Sequence, residues 1–250
     1  MSGCLLLTRQ PAENQRLAAS LAEHGIATCS LPLLALEPCP EGPRERQRML
    51  DLDLYQAVVV VSPVAARLGL ERLDHYWPQP PQGVAWLAVG SGTAQVLRDY
   101  GLPAECPAQG QDSEALLAMP LWPPLLARPD LKVLIWRGED GREHLADQLR
   151  AAGARVDYLP LYARRMPAGL EAALAELAPQ IDRVLVLSVQ ALRHWREAAG
   201  GHWQAQRQWR CFVASERIAA QAWEWGCTDV VTCRGADDAA VVEAVLSSSG

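Results

Sequence analysis

The stretch that decides the fold occurs twice: LLLTRQPAENQRLAASLAEHGIATCSLPLLA at residues 5–35 and VLIWRGEDGREHLADQLRAAGARVDYLPLYA at residues 133–163. The two copies align without a gap at a shift of 128 residues, and ten of the 31 pairs are identical. Each copy predicts an apolar strand, a helix with leucines four residues apart, a glycine that ends the helix and a second strand. We call this repeat unit A.

A second repeat, unit B, follows each copy of unit A. Residues 58–67 resemble residues 184–193 at a shift of 126, and residues 87–101 resemble residues 211–226 with one inserted residue. Unit B predicts a strand, a helix, a strand and a helix, then a short strand near Ala104 or Asp229 and a closing helix. Because the period exceeds a hundred residues, the pattern indicates duplicated domains and not a solenoid.

The alternation of strands and helices predicts parallel sheets with helices on both faces, because parallel neighbours need crossover connections. Five strands per A-plus-B set predict an α/β protein with two flavodoxin-like parallel-sheet domains that arose from internal duplication. Composition changes at residues 37–48 and 164–169, just after each unit A, where Pro and charged residues are frequent. Breaks at these places allow the chain to cross twice between the domains.

Composition and charge exclude several classes of protein. Half of the 250 residues are apolar, which is typical of a globular chain. No apolar run approaches the ~20 residues of a membrane helix, and the amino terminus lacks the apolar region of a secretory signal. We therefore expect a cytoplasmic protein that does not bind membranes. A net charge of −6 argues against a nucleic-acid partner, and seven scattered cysteines without Cys-x-x-Cys spacing predict reduced thiols and no zinc site.

Small hydroxyl residues follow the strands of both repeats, and ligands of open parallel sheets bind beyond the carboxyl ends of the strands. Helix amino termini present unpaired N–H groups there, which suits anions. Each hydroxyl residue taken alone is explained as a helix cap, worth about 1 kcal/mol. Together they predict an anion-binding edge. The segments are Thr8-Arg9, Ser62-Pro63, Gly90-Ser91-Gly92-Thr93, Ser188 and Ser215.

Tyr162 is a position at which the duplication breaks its own symmetry, since Leu34 lies opposite it in the other copy of unit A. Structural needs repeat with the fold. A polar residue present in one copy only is therefore a better candidate for function. A core or interface tyrosine with a satisfied hydroxyl is an equally good interpretation at this point.

The ordered motifs resemble the uroporphyrinogen-III synthase family across nearly the whole chain. The chain departs from the family pattern at Ala214 and Arg217, where many members have a Gly and a Thr, which leaves the anion contact of the second unit B open. The motifs are Leu6-Leu7-Thr8-Arg9, Gly25 with the Leu31-Pro32-Leu33 strand, Ser62-Pro63, Val89 to Ala94, Arg137-Gly138, Gly153 with Tyr162, Ser188, and Ser215 to Gly226.

The resemblance implies both an architecture and a reaction. It implies one domain of residues 1–36 plus 168–250 and a second of residues 37–167, joined by two extended connectors. It implies conversion of hydroxymethylbilane, a linear tetrapyrrole with eight carboxylates, into a macrocycle whose last pyrrole ring is inverted, with loss of water and without a metal or organic cofactor. We expect a monomer whose only partner is this small molecule.

The resemblance also implies roles for individual residues. Tyr162 would be the catalytic proton donor, because a phenol with a pKa of about 10 stays protonated at neutral pH. The remaining candidates would bind substrate, although Arg9 and Arg137 could instead satisfy carbonyls of their own domain. The alternative function is a non-catalytic two-lobed α/β protein that binds an anion or another solute. The substrate-binding candidates are Thr8, Arg9, Ser62, Gly90, Ser91, Thr93, Arg137, Gly138, Ser188 and Ser215.

Overall fold

The structure, a computed structural model, describes residues 3–110, 112–141 and 143–248. The strands in these residues are β1 (Cys4–Leu7), β2 (Thr28–Ser30), β3 (Ala35–Pro38), β4 (Ala57–Val60), β5 (Ala85–Ala88), β6 (Lys132–Gly138), β7 (Arg155–Arg165), β8 (Ile181–Val186), β9 (Arg210–Val213) and β10 (Val230–Thr232). The α-helices are α1 (Pro11–Ala22), α2 (Pro43–Leu50), α3 (Pro63–Tyr76), α4 (Ser91–Asp99), α5 (Ser113–Leu117), α6 (Trp122–Leu126), α7 (His144–Ala151), α8 (Leu170–Leu177), α9 (Val189–Ala199), α10 (Trp203–Gln206), α11 (Glu216–Glu224) and α12 (Asp238–Ser247).

The chain divides into two compact units, the first of Met1–Ala35 with Arg165–Gly250 and the second of Leu36–Arg164. The sheet of the first unit has the order β2-β1-β8-β9-β10, and all four neighbouring pairs are parallel. Strands β1 and β2 belong to the first unit A, whereas β8 to β10 belong to the second unit B. This is the flavodoxin-like strand order, in which the second strand in sequence lies outside the first.

The sheet of the second unit has the order β3-β7-β6-β4-β5. The pairs β7-β6, β6-β4 and β4-β5 are parallel. The second unit A therefore pairs with the first unit B, which repeats the arrangement of the other sheet. The short strand expected near Ala104 is reduced to a single parallel bridge between Leu87 and Glu105. The predicted α/β fold with parallel sheets is confirmed.

Both faces of each sheet are buried, as parallel sheets require. In the first unit, Leu6 packs into one apolar cluster and Leu5 into another on the opposite face. In the second unit, Val58 packs into one apolar cluster and Val59 into another on the opposite face. Because helices cover both clusters of each unit, a ligand can reach the sheets at the ends of their strands.

Two glycines end the equivalent helices of unit A, as the repeat predicts. Gly25 follows α1 with φ of +73°, and Gly153 follows α7 with φ of +93°. Both angles lie in the left-handed region, where a Cβ is strained and glycine is not. The glycine at these positions is therefore required by the turn that leads into the second strand.

The chain passes from one unit to the other within extended segments, at β3 and at the end of β7. Leu36 packs against the core of the second unit, and Met166 packs against the core of the first. The compact units therefore differ from the sequence-based domains by one residue at position 36 and by three residues at positions 165–167, because side-chain packing and not composition sets where each unit ends.

Candidate functional site

Four helices begin directly after strands, two in each unit, and their first residues form a candidate anion-binding edge in each sheet. Ser62 caps α3, because its Oγ accepts a hydrogen bond from the Ala65 amide at 3.1 Å. Ser188 caps α9 in the same way through the Ala191 amide at 3.0 Å. The repeated serines thus serve the fold as caps. The first N–H groups of these helices still point away from the helix without an intrahelical acceptor.

The other two helices begin without a side-chain cap. Gly90 precedes α4 and Ser215 precedes α11, and neither makes a side-chain hydrogen bond to its helix. Ser91 is exposed, whereas Thr93 is only 4% exposed. These uncapped helix starts leave their N–H groups for water or for a ligand, with the Ser91 hydroxyl beside them.

Tyr162 on β7 lies at the carboxyl end of the second sheet. Its hydroxyl is 3.3 Å from the Oγ of Ser62, and the residue is 4% exposed. Its ring lies against Gly138, where a Cβ would be 2.9 Å from the ring carbons Cε2 and Cζ. The Arg164 guanidinium is 5.8 Å from the ring centroid. Ser62, Gly138 and Tyr162, which the sequence placed in one site, therefore lie together, with Tyr162 in contact with the other two.

Arg137 on β6 has a buried guanidinium held by its own unit. Its Nε donates to the Gly138 carbonyl at 3.1 Å, and its Nη2 donates to the Gly141 carbonyl. Its Nη1 donates to the Glu143 carboxylate at 2.9 Å, and its guanidinium carbon lies 4.4 Å from the centroid of the Tyr158 ring. These contacts fix the orientation of the positive charge, which suits it to recognise a carboxylate.

Glu143 and Tyr158 belong to this arrangement, and neither residue was predicted from the sequence. Tyr158 donates its hydroxyl hydrogen to the Glu143 carboxylate. That hydrogen bond and the bond from Arg137 hold the pKa of Glu143 below its ordinary value. Burial, followed by the bond to Glu143, raises the pKa of Tyr158. The available signal was in the repeat: Arg9 and Arg137 match, but Gln15 stands opposite Glu143 and Ser30 opposite Tyr158.

Thr8 and Arg9 occupy the corresponding position in the first unit, and their side chains bond within that unit. The Thr8 hydroxyl donates to the Leu185 carbonyl at 2.5 Å. Arg9 pairs with Asp238 through Nη1 and donates to the Ala236 carbonyl through Nη2 at 2.5 Å. Since the Arg9 side chain is only 8% exposed, these bonds support the structural interpretation of this residue.

The candidate residues thus divide between the two units. Thr8, Arg9, Ser188 and Ser215 lie in the first unit, and Ser62, Gly90, Ser91, Thr93, Arg137, Gly138 and Tyr162 lie in the second. All seven cysteines are free thiols, and burial raises the pKa of Cys211. In residues 3–110, 112–141 and 143–248, no three His, Cys, Asp or Glu side chains come together as metal ligands. No helix in the part of the chain that the structure describes has the length and apolar content to span a bilayer.

Comparison with known proteins identifies the family. The family model described as uroporphyrinogen-III synthase HemD matches residues 15–243, which is most of the chain. The chain belongs to the uroporphyrinogen-III synthase family. It is therefore an enzyme of tetrapyrrole biosynthesis, a cyclising lyase, as the ordered motifs implied.

Relatives and solved structures agree with this family. The uroporphyrinogen-III synthase of Escherichia coli K12 is 28% identical over 256 residues, covering 96% of this chain and 99% of its own. That of Proteus mirabilis is 27% identical over 164 residues, covering 64% of this chain and 79% of its own. Two crystal structures share the fold and cover 98% of this chain and 99% of theirs: the Helicobacter pylori 26695 enzyme, with TM-score 0.61 and 14% identity, and a mutant of the Thermus thermophilus enzyme, with TM-score 0.57 and 18% identity.

Proposed function

We propose that this chain cyclises hydroxymethylbilane, with loss of water and inversion of the last pyrrole ring, and that Tyr162 donates the proton that the leaving hydroxyl needs. The observation that carries the assignment of Tyr162 is its position: the hydroxyl lies 3.3 Å from the Ser62 Oγ at the carboxyl end of the parallel sheet. Ligands of open parallel sheets bind at this edge. The two compact units are proposed as the two domains of the family.

The reaction proceeds in balanced steps. Tyr162 gives its proton to the substrate hydroxyl, and the C–O bond breaks. Water departs, and the substrate becomes an azafulvene cation. The substituted carbon of the last ring attacks this cation and forms a spiro intermediate. The bond from the spiro carbon to the methylene bridge of the third ring then breaks, which leaves an azafulvene cation on that ring. The unsubstituted α-carbon of the last ring attacks this cation and closes the macrocycle with the last ring inverted. The pyrrole carbon finally loses a proton, which returns to the Tyr162 oxygen.

The substrate-binding residues act on the negative charge and the shape of the substrate. The N–H groups that follow Ser62, Gly90, Ser188 and Ser215 suit carboxylates, because helix amino termini combine free donors with a partial positive charge. Arg137 adds a fixed guanidinium. The linear substrate also cyclises without enzyme to the uninverted isomer. The main contribution of the enzyme is therefore to hold the linear substrate so that the hindered carbon attacks, which is an effect of orientation.

The test is to supply hydroxymethylbilane and to separate the product isomers by chromatography. Wild type is expected to form the inverted macrocycle. In Tyr162→Phe, kcat is expected to fall at least ~10²-fold, which is the contribution typical of general acid catalysis. Tyr100→Phe is the matched control, because it too removes a tyrosine hydroxyl that is hydrogen-bonded to a side chain, here the carboxylate of Asp74. Unchanged kcat in Tyr162→Phe removes this residue from the mechanism. A wild-type chain that binds the tetrapyrrole but forms only the uninverted isomer restores the non-catalytic binding alternative.

A further inference from the structure

A separate pocket of about 210 Å³ lies at the carboxyl edge of the second sheet, within the second unit alone. Val61 follows β4 and Val89 follows β5, so the pocket begins where these strands end. The pocket borders the segments of Ser62 and Gly90, which are the next residues in the chain. Its walls combine aliphatic side chains with two charged ones. The residues that matter are Val61, Val89, Ile135 and Leu145 on the apolar side, with Arg137 and Asp112.

Arg137 lines this pocket and has hydrogen-bond donors that the described residues do not use. A guanidinium has five N–H groups. Three of those on Arg137 are bonded to Gly138, Gly141 and Glu143, and the other two have no acceptor among the described residues. A Cβ on Gly141 would lie 2.7 Å from the guanidinium carbon, so this glycine is required by the close packing of Arg137. The side chain is 6% exposed and cannot swing freely away from the pocket.

Asp112 supplies an acceptor on another wall of the same pocket. Its Oδ1 accepts a hydrogen bond from the Ala115 amide at 2.8 Å and caps α5. Its Oδ2 accepts no hydrogen bond from the described residues, and no ion pair joins Asp112 to Arg137 in that part of the chain. The pocket therefore presents a cation and an anion that do not neutralise each other. A ligand with a carboxylate and an N–H donor matches both.

The size of the pocket limits what it can hold. Pockets that bury a whole small-molecule ligand usually have about 300–1,000 Å³, so about 210 Å³ is too small for four linked rings. One five-membered ring with apolar faces fits the aliphatic walls. A pyrrole carries a single N–H donor and, in this substrate class, acidic side chains. Each of these groups has a counterpart in the pocket.

We propose that this pocket is a subsite for one pyrrole ring of the substrate. An acidic side chain of that ring binds the free N–H groups of Arg137, the ring N–H donates to the Oδ2 of Asp112, and the ring faces pack on Val61, Val89, Ile135 and Leu145. This inference rests on the proposed function for its substrate. It adds Asp112 as a residue that determines which ring orientation is accepted.

The experiment uses two probes and the full chain, with amide chemical shifts of Ser113 and Gly141 as the readout. Pyrrole-3-acetate has both the N–H and the carboxylate, and N-methylpyrrole-3-acetate lacks the N–H. Wild type is expected to bind the first probe about ten-fold more tightly, since hydrogen bonds to charged groups have this strength or more. In Asp112→Asn the amide still caps α5, but its NH₂ group replaces the acceptor. The ratio of the two affinities is expected to fall to about one, because the hydrogen bond to Oδ2 is lost.

Glu114→Gln is the control, because it neutralises a carboxylate two residues away, 75% exposed, that does not line the pocket. Its affinity ratio is expected to equal that of wild type. Equal affinities for the two probes in wild type, no saturable shift with either probe, or an equal fall of the ratio in Glu114→Gln overturns the subsite. The isomer assay separates the two proposals: wild type that forms the inverted macrocycle with equal probe affinities refutes the subsite alone. Wild type that forms no inverted macrocycle refutes the proposed function and, with it, the assignment of a substrate ring to this pocket.

Discussion

Gly138 is the position at which one added methyl group tests the role of Tyr162. A Cβ there would lie 2.9 Å from the ring carbons Cε2 and Cζ of Tyr162 and 3.2 Å from its hydroxyl oxygen. The contact is with a ring and not with the end of a flexible chain. Tyr162 is 4% exposed and packs in the core of its unit, so the whole ring has to move. Gly138→Ala therefore displaces the phenol hydroxyl without removing it.

The size of the effect follows from the overlap. Ordinary contact with a Cβ begins at 3.4 Å, so the ring retreats by about 0.5 Å from its present 2.9 Å, and misplacement of a reacting group by ~1 Å costs ~10²-fold in rate. We therefore expect kcat to fall about ten-fold, equal to about 1.4 kcal/mol of activation free energy. Overpacking lowers the free energy of unfolding by about 1–3 kcal/mol, which is less than the ~5–15 kcal/mol of a typical domain. The variant should fold.

The assay is a double-mutant cycle of kcat with Gly138→Ala, Tyr162→Phe and the combined variant. If Gly138→Ala acts through the phenol, it costs little further in the Tyr162→Phe background, because contacting residues that share one function are not additive. Gly201→Ala is the control, since no atom lies within 4 Å of its added Cβ. The reasoning is refuted by a ten-fold loss that persists undiminished in the Tyr162→Phe background, or by wild-type kcat in Gly138→Ala.

Three further predictions concern stability. Ser62→Ala and Ser188→Ala should each lower the free energy of unfolding by about 1 kcal/mol in urea titrations, because each removes a helix cap; no loss in either variant would contradict the capping role. The pKa of Glu143 is held below its ordinary value of 4.5, so its charge stabilises the fold above that pH and this contribution disappears on acidification. The advantage of wild type over Glu143→Gln should therefore shrink as the pH falls from about 6 to 3; a gap that widens would have the wrong sign. Gly69→Ala should cost about 1–3 kcal/mol or more, because its Cβ overlaps the buried ring of Trp136, and near-ultraviolet circular dichroism should change with it; an unperturbed spectrum and midpoint would contradict this packing.

The parallel sheets were predictable because apolar runs such as residues 5–7 and 58–60 alternate with helices in both repeats. Leu5 and Leu6 are adjacent in sequence and face opposite apolar clusters, which only a sheet covered on both sides accommodates. The repeated Leu-Pro-Leu triplet was harder, because identical residues differ in structure. Leu161 lies inside β7, which has neighbours on both sides, whereas Leu33 follows β2, a strand at the edge of its sheet. The neighbours that a strand will have are not encoded locally.

The candidate residues at the ends of strands were predictable from the sequence. The partners that their side chains bind were not. Ser62 and Tyr162 lie 100 residues apart in sequence, and the order of strands in the sheet brings their hydroxyls to 3.3 Å. Glu143 was missed because a single carboxylate at the start of a helix does not indicate that its partner is a buried arginine. Asp112 was missed because it caps α5 as Asp237 caps the equivalent helix α12, so the sequence shows only a helix cap at this position.

The two copies of unit A also show how duplication separates structural from functional residues. Arg9 and Arg137 are identical in the alignment, and each uses its guanidinium to bind carbonyl and carboxylate oxygens of its own unit. A residue that both copies need for folding tends to stay in both, which is consistent with the bonds that each arginine makes within its own unit. Tyr162 has Leu34 opposite it in the alignment, a residue without a hydroxyl. The first unit folds without a phenol oxygen at this position, which supports the proposal that the Tyr162 hydroxyl beside Ser62 serves the reaction.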